Sequence, residues 1–207
     1  MYLQEAAPIT IQMDQKKNFA SSSIQDVIEA LAQETGLILF YNEEDPFTEW
    51  LGNFYPISVA YNGLVFSNSE AAYQAQKFIH DSELMSQFTA LTGDQAFRKA
   101  RELSSHIRPD WWEMRVQVMK EVLAAKIDQN PLIASWLDAT GDSFLVEHNA
   151  VKGRDAFWSD DFDGMGKNML GTLWMELRSE IRGEPVKTID SSHRGWQNYE
   201  NFLNQLK

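Results

Sequence analysis

The period of the apolar positions changes along the chain, and each change marks an element. Val27, Ile28, Leu31 and Ala32 recur at the spacing of one helix face, with Ser21-Ser22-Ser23 offering caps before it and Gly36 stopping it. Leu37-Ile38-Leu39-Phe40-Tyr41 is a continuous apolar run, a short strand. Asn42 to Trp50 is acidic, contains Pro46 and reads as a loop. Gly52-Asn53-Phe54-Tyr55-Pro56 leads into Ile57 to Ala60, and Asn62-Gly63 is a two-residue hairpin turn before Leu64-Val65-Phe66. The hairpin delivers the chain to Ser69-Glu70, which opens a helix. Ser69 is the expected N-cap, and Glu70 lies in the first turn, where a negative charge meets free amides. Ala71, Ala72 and Ala75 let this helix pack closely, and Phe78 anchors it.

The period then stays helical. Residues 83–90 carry Leu84 and Phe88, and residues 94–103 carry Phe97 and Ala100. A long helix from Asp110 to about Gln129 follows Pro109, with Trp112, Val116, Met119, Val122, Leu123 and Ile127 as its apolar stripe. Pro131 starts a short helix through Ile133, Trp136 and Leu137 that ends at Gly141. Phe144-Leu145-Val146 is a buried extended run, and a polar loop with Trp158 comes after it. A helix over about Lys167–Ile181 buries Leu170, Leu173, Trp174, Leu177 and Ile181, and Gly183 with Pro185 ends it. A last helix near Gly195–Leu206 carries Trp196, Tyr199, Phe202, Leu203 and Leu206. It is expected to pack on the same molecule or on a partner. Residues 1–22 alternate briefly around Ile9-Thr10-Ile11, an edge strand or a loosely ordered arm. The pattern is that of a mainly α (α+β) chain with a small β-hairpin or short sheet.

Composition narrows the function. The chain has 207 residues, enough for one sizeable core, and a formal charge of -12. That charge disfavours long naked nucleic acid and anionic membranes but leaves room for one phosphorylated ligand in a local basic pocket. The absence of cysteine removes disulfides and thiolate catalysis. No apolar run approaches a membrane span, and the N-terminus lacks a signal peptide's order, so the expected location is cytoplasmic.

Helical geometry places Glu70, Tyr73 or Gln74, and Lys77 on one face, the outer two roughly 10 Å apart along the axis. A carboxylate, a ring, an amide and an amine on one stripe are a chemically rich set. The plainer alternative has Glu70 capping its helix and Lys77 reaching solvent. Glu147-His148-Asn149, at the end of an apolar run, is a second polar cluster or a structural hydrogen-bond network. Asn53 and Trp158 are residue types that hold and stack a flat heterocycle, or simply pack. Gly164-Met165-Gly166-Lys167-Asn168 brings glycines, a lysine and a helix start together, either for one phosphate or for close packing. The four histidines lie far apart in sequence, and no metal ligand set or cofactor motif is present, so neither is expected.

Gly52-Asn53-Phe54, the Gly63 turn, Ser69-Glu70, Gln74-Ala75-Gln76-Lys77-Phe78, Leu145-Val146-Glu147-His148, Trp158, Gly166-Lys167-Asn168, Leu170-Gly171 and Met175-Glu176-Leu177-Arg178 together resemble the NADAR family, in its YbiA-like branch. The resemblance covers about residues 38–182. It implies a compact, mainly helical catalytic domain over 37–182 and says nothing about the flanks, which the chain's own pattern makes an N-terminal extension with a short helix (1–36) and a linker with the C-terminal helix (183–207), packed on the domain or a partner.

Members of that family cleave N-glycosidic bonds, either of phosphorylated riboflavin-pathway intermediates or of ADP-ribosylated guanine. The resemblance implies Glu70 and Lys77 as the catalytic pair, with Lys77 as a Schiff-base lysine toward the opened ribose. It places the family's loop tryptophan and helix asparagine on Trp158 and Asn168, which join Asn53, Tyr73, Gln74, Glu147, His148 and Lys167, read from the chain itself, as the expected substrate contacts. The YbiA-like pattern has His-Tyr where this chain has Ala71-Ala72, and a serine where it has Gly52.

The implied chemistry is physically coherent. Ribosyl C–N cleavage builds positive charge on the sugar, which a carboxylate stabilises, and a desolvated lysine amine can attack an aldehyde carbon. The expected partner is a small phosphorylated nucleotide-like substrate, or ADP-ribosylated guanine in nucleotides or single-stranded DNA. Monomer and homodimer both stay open. The alternative is a non-catalytic ADP-ribose or nucleotide binding module, and behind it a purely structural role. Removal of residues 184–207 is expected to cost stability or solubility and leave the site chemically complete.

Overall fold

The computed structural model describes residues 23–41 and 45–206. The expected arm around Ile9-Thr10-Ile11 and residues 42–44 of the expected loop lie outside them. Eight α-helices and two two-stranded sheets occur among the described residues, so the chain is mainly α with a small β component. No helix among them is long and apolar enough to cross a membrane. The chain divides into two units, residues 50–134 and the remaining described residues, with one boundary in the 3-10 turn Glu49–Leu51 and the other in the helix Pro131–Ala139.

In the unit made of the two chain ends, α1 (Ile24–Thr35) starts at Ser23, whose side chain and Asp26 form a reciprocal capping box. It stops at Gly36, which sits left-handed at φ 63° so that its N–H reaches the Ala32 carbonyl at 3.0 Å. β1 (Leu37–Phe40) follows and pairs in parallel with β4 (Phe144–Glu147), Leu37 opposite Phe144 and Phe40 opposite Glu147. α7 (Met169–Arg182) packs on β4 and α8 (Arg194–Gln205) on β1. Leu37, Phe144, Val146, Tyr199 and Phe202 form a buried cluster, with Trp196 and Leu203 packed against it. Two expected members of the apolar stripes face out: Ile181 lies in the last turn of α7 and Leu206 just past the end of α8, where neighbours no longer cover them.

In the other unit, β2 (Val59–Tyr61) and β3 (Leu64–Phe66) form the expected antiparallel hairpin. Asn62 at φ 48° and Gly63 at φ 79° supply the two left-handed turn positions. α2 (Ser69–Ala75) tightens into a 3-10 turn over Gln76–Phe78. Its N-cap is Asn68, not Ser69: the Asn68 side chain accepts the Ala71 N–H at 2.8 Å, and Ser69 is the first helical residue.

The expected helix over 83–90 is only α3 (Ser82–Ser86). α4 (Gly93–Glu102) turns Ala96 and Ala100 inward and packs on α2, whose Ala71, Ala72 and Ala75 are wholly buried, while Gly93 lies against the Phe54 ring. Phe97 is therefore displaced outward, with the Arg101 guanidinium 5.3 Å from its ring centre. α5 (Trp111–Gln129) buries Val118, Met119, Val122, Leu123 and Ile127. At its first turn Trp111 faces in and Trp112, one position round the helix, is 72% exposed beneath Arg115. α6 (Pro131–Ala139) carries the division between the units.

Candidate active site

α2 carries most of the candidate residues of the 50–134 unit, and every residue from Ser69 to Gln76 is buried. Glu70 is 6% exposed and its Oε1 accepts the Gln74 amide at 2.7 Å, one helical turn on. Its backbone N–H donates to the Asn53 carbonyl at 2.9 Å, which ties the start of α2 to the loop before the hairpin. Asn53 sends its own amide nitrogen to Met119 Sδ at 3.5 Å. Tyr73 is buried with its ring tilted on Trp111, centres 4.9 Å apart. The Lys77 ammonium lies 5.4 Å from the Trp111 ring centre. Burial pushes its pKa down, the negative charge of Glu70 works against that, and Arg101 adds to it. Helical spacing put Glu70, Tyr73 or Gln74, and Lys77 on one stretch of helix, and the structure adds Asn53 to them through its carbonyl.

Three polar atoms of this neighbourhood, Asn53 Oδ1, Ser69 Oγ and Gln74 Oε1, are buried with no hydrogen-bond partner among the described residues. Ala71 and Ala72, where the chain departs from the YbiA-like pattern, are wholly buried beside Glu70 on α2.

Lys126 was not singled out by its sequence. It is fully buried, and its ammonium donates to the Trp50 carbonyl at 2.7 Å and the Gly52 carbonyl at 3.1 Å, 5.7 Å from the Tyr55 ring centre. It therefore grips the turn that carries Asn53. Burial pushes its pKa down to about 7. The signal was present: Lys126 continues the Met119, Val122, Leu123 stripe in helical phase.

The remaining candidates lie in the other unit. Glu147 ends β4, and its carbonyl accepts the Asp160 N–H at 2.9 Å. His148 extends the strand pairing, its N–H on the Phe40 carbonyl at 2.9 Å, and its Nδ1 meets Asp160 Oδ2 at 2.7 Å. Trp158 is half-buried, edge-on to Phe157 at 5.0 Å. Lys167 is exposed, with its ammonium 5.3 Å from the Phe157 ring centre.

Asn168 is a brace. Held at φ 47°, its Oδ1 accepts the Glu147 N–H at 2.9 Å and its Nδ2 donates to the Leu145 carbonyl at 2.8 Å, so both ends of its amide are spent on β4. A Cβ on Gly166 would sit 2.2 Å from the Ser159 carbonyl oxygen, so close packing requires that glycine whether or not a phosphate binds. Among the described residues no three His, Asp or Glu side chains gather as a metal site would need.

The NADAR domain model matches residues 39–182. A riboflavin biosynthesis protein of Vibrio vulnificus is 41% identical over 159 residues, which are 74% of this chain; the chain spans 42% of that relative's length. N-glycosidase YbiA of Escherichia coli is 34% identical over 155 residues, 74% of this chain and 93% of YbiA. The NMR structure of E. coli YbiA shares the fold with a TM-score of 0.63 at 33% identity, covering 76% of this chain and 91% of that one. Matched from β1 to the end of α7, and similar to YbiA along nearly the whole of YbiA, this chain belongs to the NADAR domain family.

Proposed function

We propose that the protein is an N-glycosidase acting on a phosphorylated ribosylamine of the riboflavin-pathway type, with ADP-ribosylated guanine as the second substrate class. The observation that carries this is the Glu70–Lys77 stripe: a buried carboxylate and an amine of lowered pKa on one short helix, beside three buried polar atoms awaiting partners. The names of the Vibrio and E. coli relatives support the bond class and the pathway.

Glu70 stabilises the positive charge that grows at the anomeric carbon as the C–N bond lengthens. The sugar ring opens as the C1–O4 bond breaks and the proton of the base nitrogen passes to O4, leaving C1 as an imine carbon, and Lys77, as the neutral amine, adds to it. Its surplus proton passes by way of Glu70 to the departing base nitrogen, and the base leaves as its amine. Water then hydrolyses the lysine imine, which frees the sugar aldehyde and restores Lys77. One water is consumed per turnover. Asn53, Ser69 and Gln74 orient the sugar through their unoccupied lone pairs.

Incubation with a ribosylaminopyrimidine phosphate and, separately, with ADP-ribosylated guanosine, followed by mass analysis of released base and sugar, tests both classes. Glu70→Gln and Lys77→Ala are expected to lose turnover by ~100-fold or more. Lys77→Arg keeps the charge but forms no imine, and borohydride should trap sugar only on the parent. Base release by both Glu70→Gln and Lys77→Ala at the parental rate would sink the assignment.

A further inference from the structure

The family match ends at residue 182, yet the carboxylate that holds His148 is shared with a residue beyond it. Asp160 is 1% exposed. Its Oδ2 meets His148 Nδ1 at 2.7 Å and accepts the Tyr199 hydroxyl at 2.8 Å, while its Oδ1 accepts the Phe162 N–H at 3.0 Å. α8 supplies a second contact: Phe202 meets the imidazole edge-on at 4.8 Å, and Phe162 stacks on it at 5.9 Å.

The seat of α8 does not depend on the tyrosine bond. Arg194 donates to the Ala32 carbonyl at 2.9 Å and Asn198 to the Thr35 carbonyl at 2.6 Å. Gly195 lies so close to Gly36 that a Cβ on it would be 1.9 Å from the Gly36 oxygen. Backbone contacts thus carry the Tyr199 hydroxyl to Asp160.

The chemistry of the three groups follows. Burial, and then the bond to Asp160, push the Tyr199 pKa up, so its oxygen keeps the proton and donates. The carboxylate oxygen that accepts it accepts from the imidazole as well, which puts the ring proton on Nδ1. Nε2 is then the ring nitrogen left for a ligand, and His148 lines a cavity of about 270 Å³ with Leu39, Tyr41, Asp45 and Thr48.

We propose that Tyr199 is a positioning residue for His148. By donating to Asp160 it sets how tightly the carboxylate holds the Nδ1 proton, and through that the state in which Nε2 meets a ligand. The C-terminal helix, which lies outside the matched family region, is in this way a working part of the His148 environment. The charged and titratable groups facing the imidazole are Asp160 at its Nδ1, Tyr199 across that carboxylate, Glu147 beside it in sequence and Asp45 in the cavity wall. Asp163, paired with Lys152 at 2.5 Å, acts on Tyr199, and Arg154 lies over the Tyr41 ring.

The ligand step rests on the reading of His148 as a substrate contact; the state of the ring does not. The test therefore uses the full-length protein without substrate, and a failure of the glycosidase reading leaves it intact. Long-range proton–nitrogen NMR reads the two ring nitrogens of His148 at one fixed pH. In Tyr199→Phe the Asp160 Oδ2 accepts from the imidazole alone, so the Nδ1–H resonance should move downfield as that bond tightens. A 3-fluorotyrosine placed at 199, the same shape with a stronger donor, should move it the other way. If Tyr199→Phe does not fold, the fluorotyrosine variant decides alone. Nitrogen and proton shifts that stay at parental values in the folded variants overturn the proposal and reduce Tyr199 to packing.

Discussion

Replacing Lys126 by methionine changes how stability depends on pH, and the direction follows from where the proton goes. In the unfolded chain the amine keeps its proton up to its ordinary 10.5; in the folded chain burial releases it near 7. Between those values the unfolded state binds more protons, so this group makes the folded state more stable as pH rises. Below about pH 7 its contribution is level, because both states are protonated, and above 10.5 it is level again. The whole interval, converted at 1.36 kcal/mol per pH unit, is about 5 kcal/mol, and the part between pH 7 and pH 9.5 about 3 kcal/mol. The carbonyls of Trp50 and Gly52 hold the ammonium form and offset part of this, so the figures are ceilings.

Methionine fills the space without a proton to release, but it leaves those two carbonyls without their donor, a cost of about 1–3 kcal/mol each that does not vary with pH. The destabilisation caused by Lys126→Met should therefore grow by up to about 3 kcal/mol between pH 7 and pH 9.5. Urea unfolding of parent and variant at pH 7, 8, 9 and 9.5 measures it. Lys77, whose pKa is also lowered by burial, contributes a slope of the same sign to both proteins and cancels in the difference. A destabilisation that stays the same at every pH would refute the buried-proton account. Weakened glycosidase turnover with an unchanged Glu70 environment would add that the grip on the Asn53 turn matters for catalysis.

Asn168→Ala should cost about 3 kcal/mol in urea unfolding, because it leaves the Leu145 carbonyl and the Glu147 N–H unpaired inside the structure; a cost near zero would mean that the brace is not needed. Gly195→Ala should cost about 1–3 kcal/mol and detach Tyr199 from Asp160, since the new methyl cannot coexist with the Gly36 carbonyl; the melting temperature and the His148 nitrogen shifts report the two effects together. Trp112→Ala should change stability by no more than about 0.5 kcal/mol, and a larger loss by thermal melting would show the exposed ring to be covered in solution.

Much of the fold was legible in the sequence because its signals are local. The Asn62-Gly63 turn fixes the hairpin through two left-handed positions, and the stripes of α1, α5 and α7 fix their buried faces. The parallel pairing of β1 with β4 was not legible: each strand is four residues long, and the partners are brought together by everything between them. Helix phase fails where a stripe begins. Trp111 and Trp112 offer the same ring to the pattern, and only the position of Tyr73 decides which goes inside. α4 inverts the usual expectation, because the apposed alanines of α2 require small residues inside and send Phe97 out. In the candidate site, Glu70, Gln74 and Lys77 were readable from one helical repeat, whereas the use of the Asn168 amide was not. The family pattern marks that position, and the coordinates show that the residue serves the backbone of β4.

The C-terminal helix shows what a hydrophobic pattern leaves out. Trp196, Tyr199, Phe202 and Leu203 recur at the spacing of one face, and that face does bury itself against β1 and β4. Apolar period treats Tyr199 as a ring, and the ring is indeed 4% exposed. Its hydroxyl is a separate matter, since a buried hydroxyl must find an acceptor, and the acceptor comes from a loop that no periodicity describes. That acceptor is Asp160, already engaged by His148, so packing the helix also determines what surrounds the imidazole. Deleting residues 184–207 would thus do three things at once. It would uncover the Leu37, Phe144, Val146 cluster, take the Phe202 edge from the imidazole, and remove the Tyr199 hydroxyl from Asp160. Tyr199→Phe makes only the last change. Comparing the two variants by melting temperature and by the His148 ring-nitrogen shifts separates the helix as a cover from the helix as a contributor to the site: the Nδ1 resonance moves in both, and the deletion loses more stability.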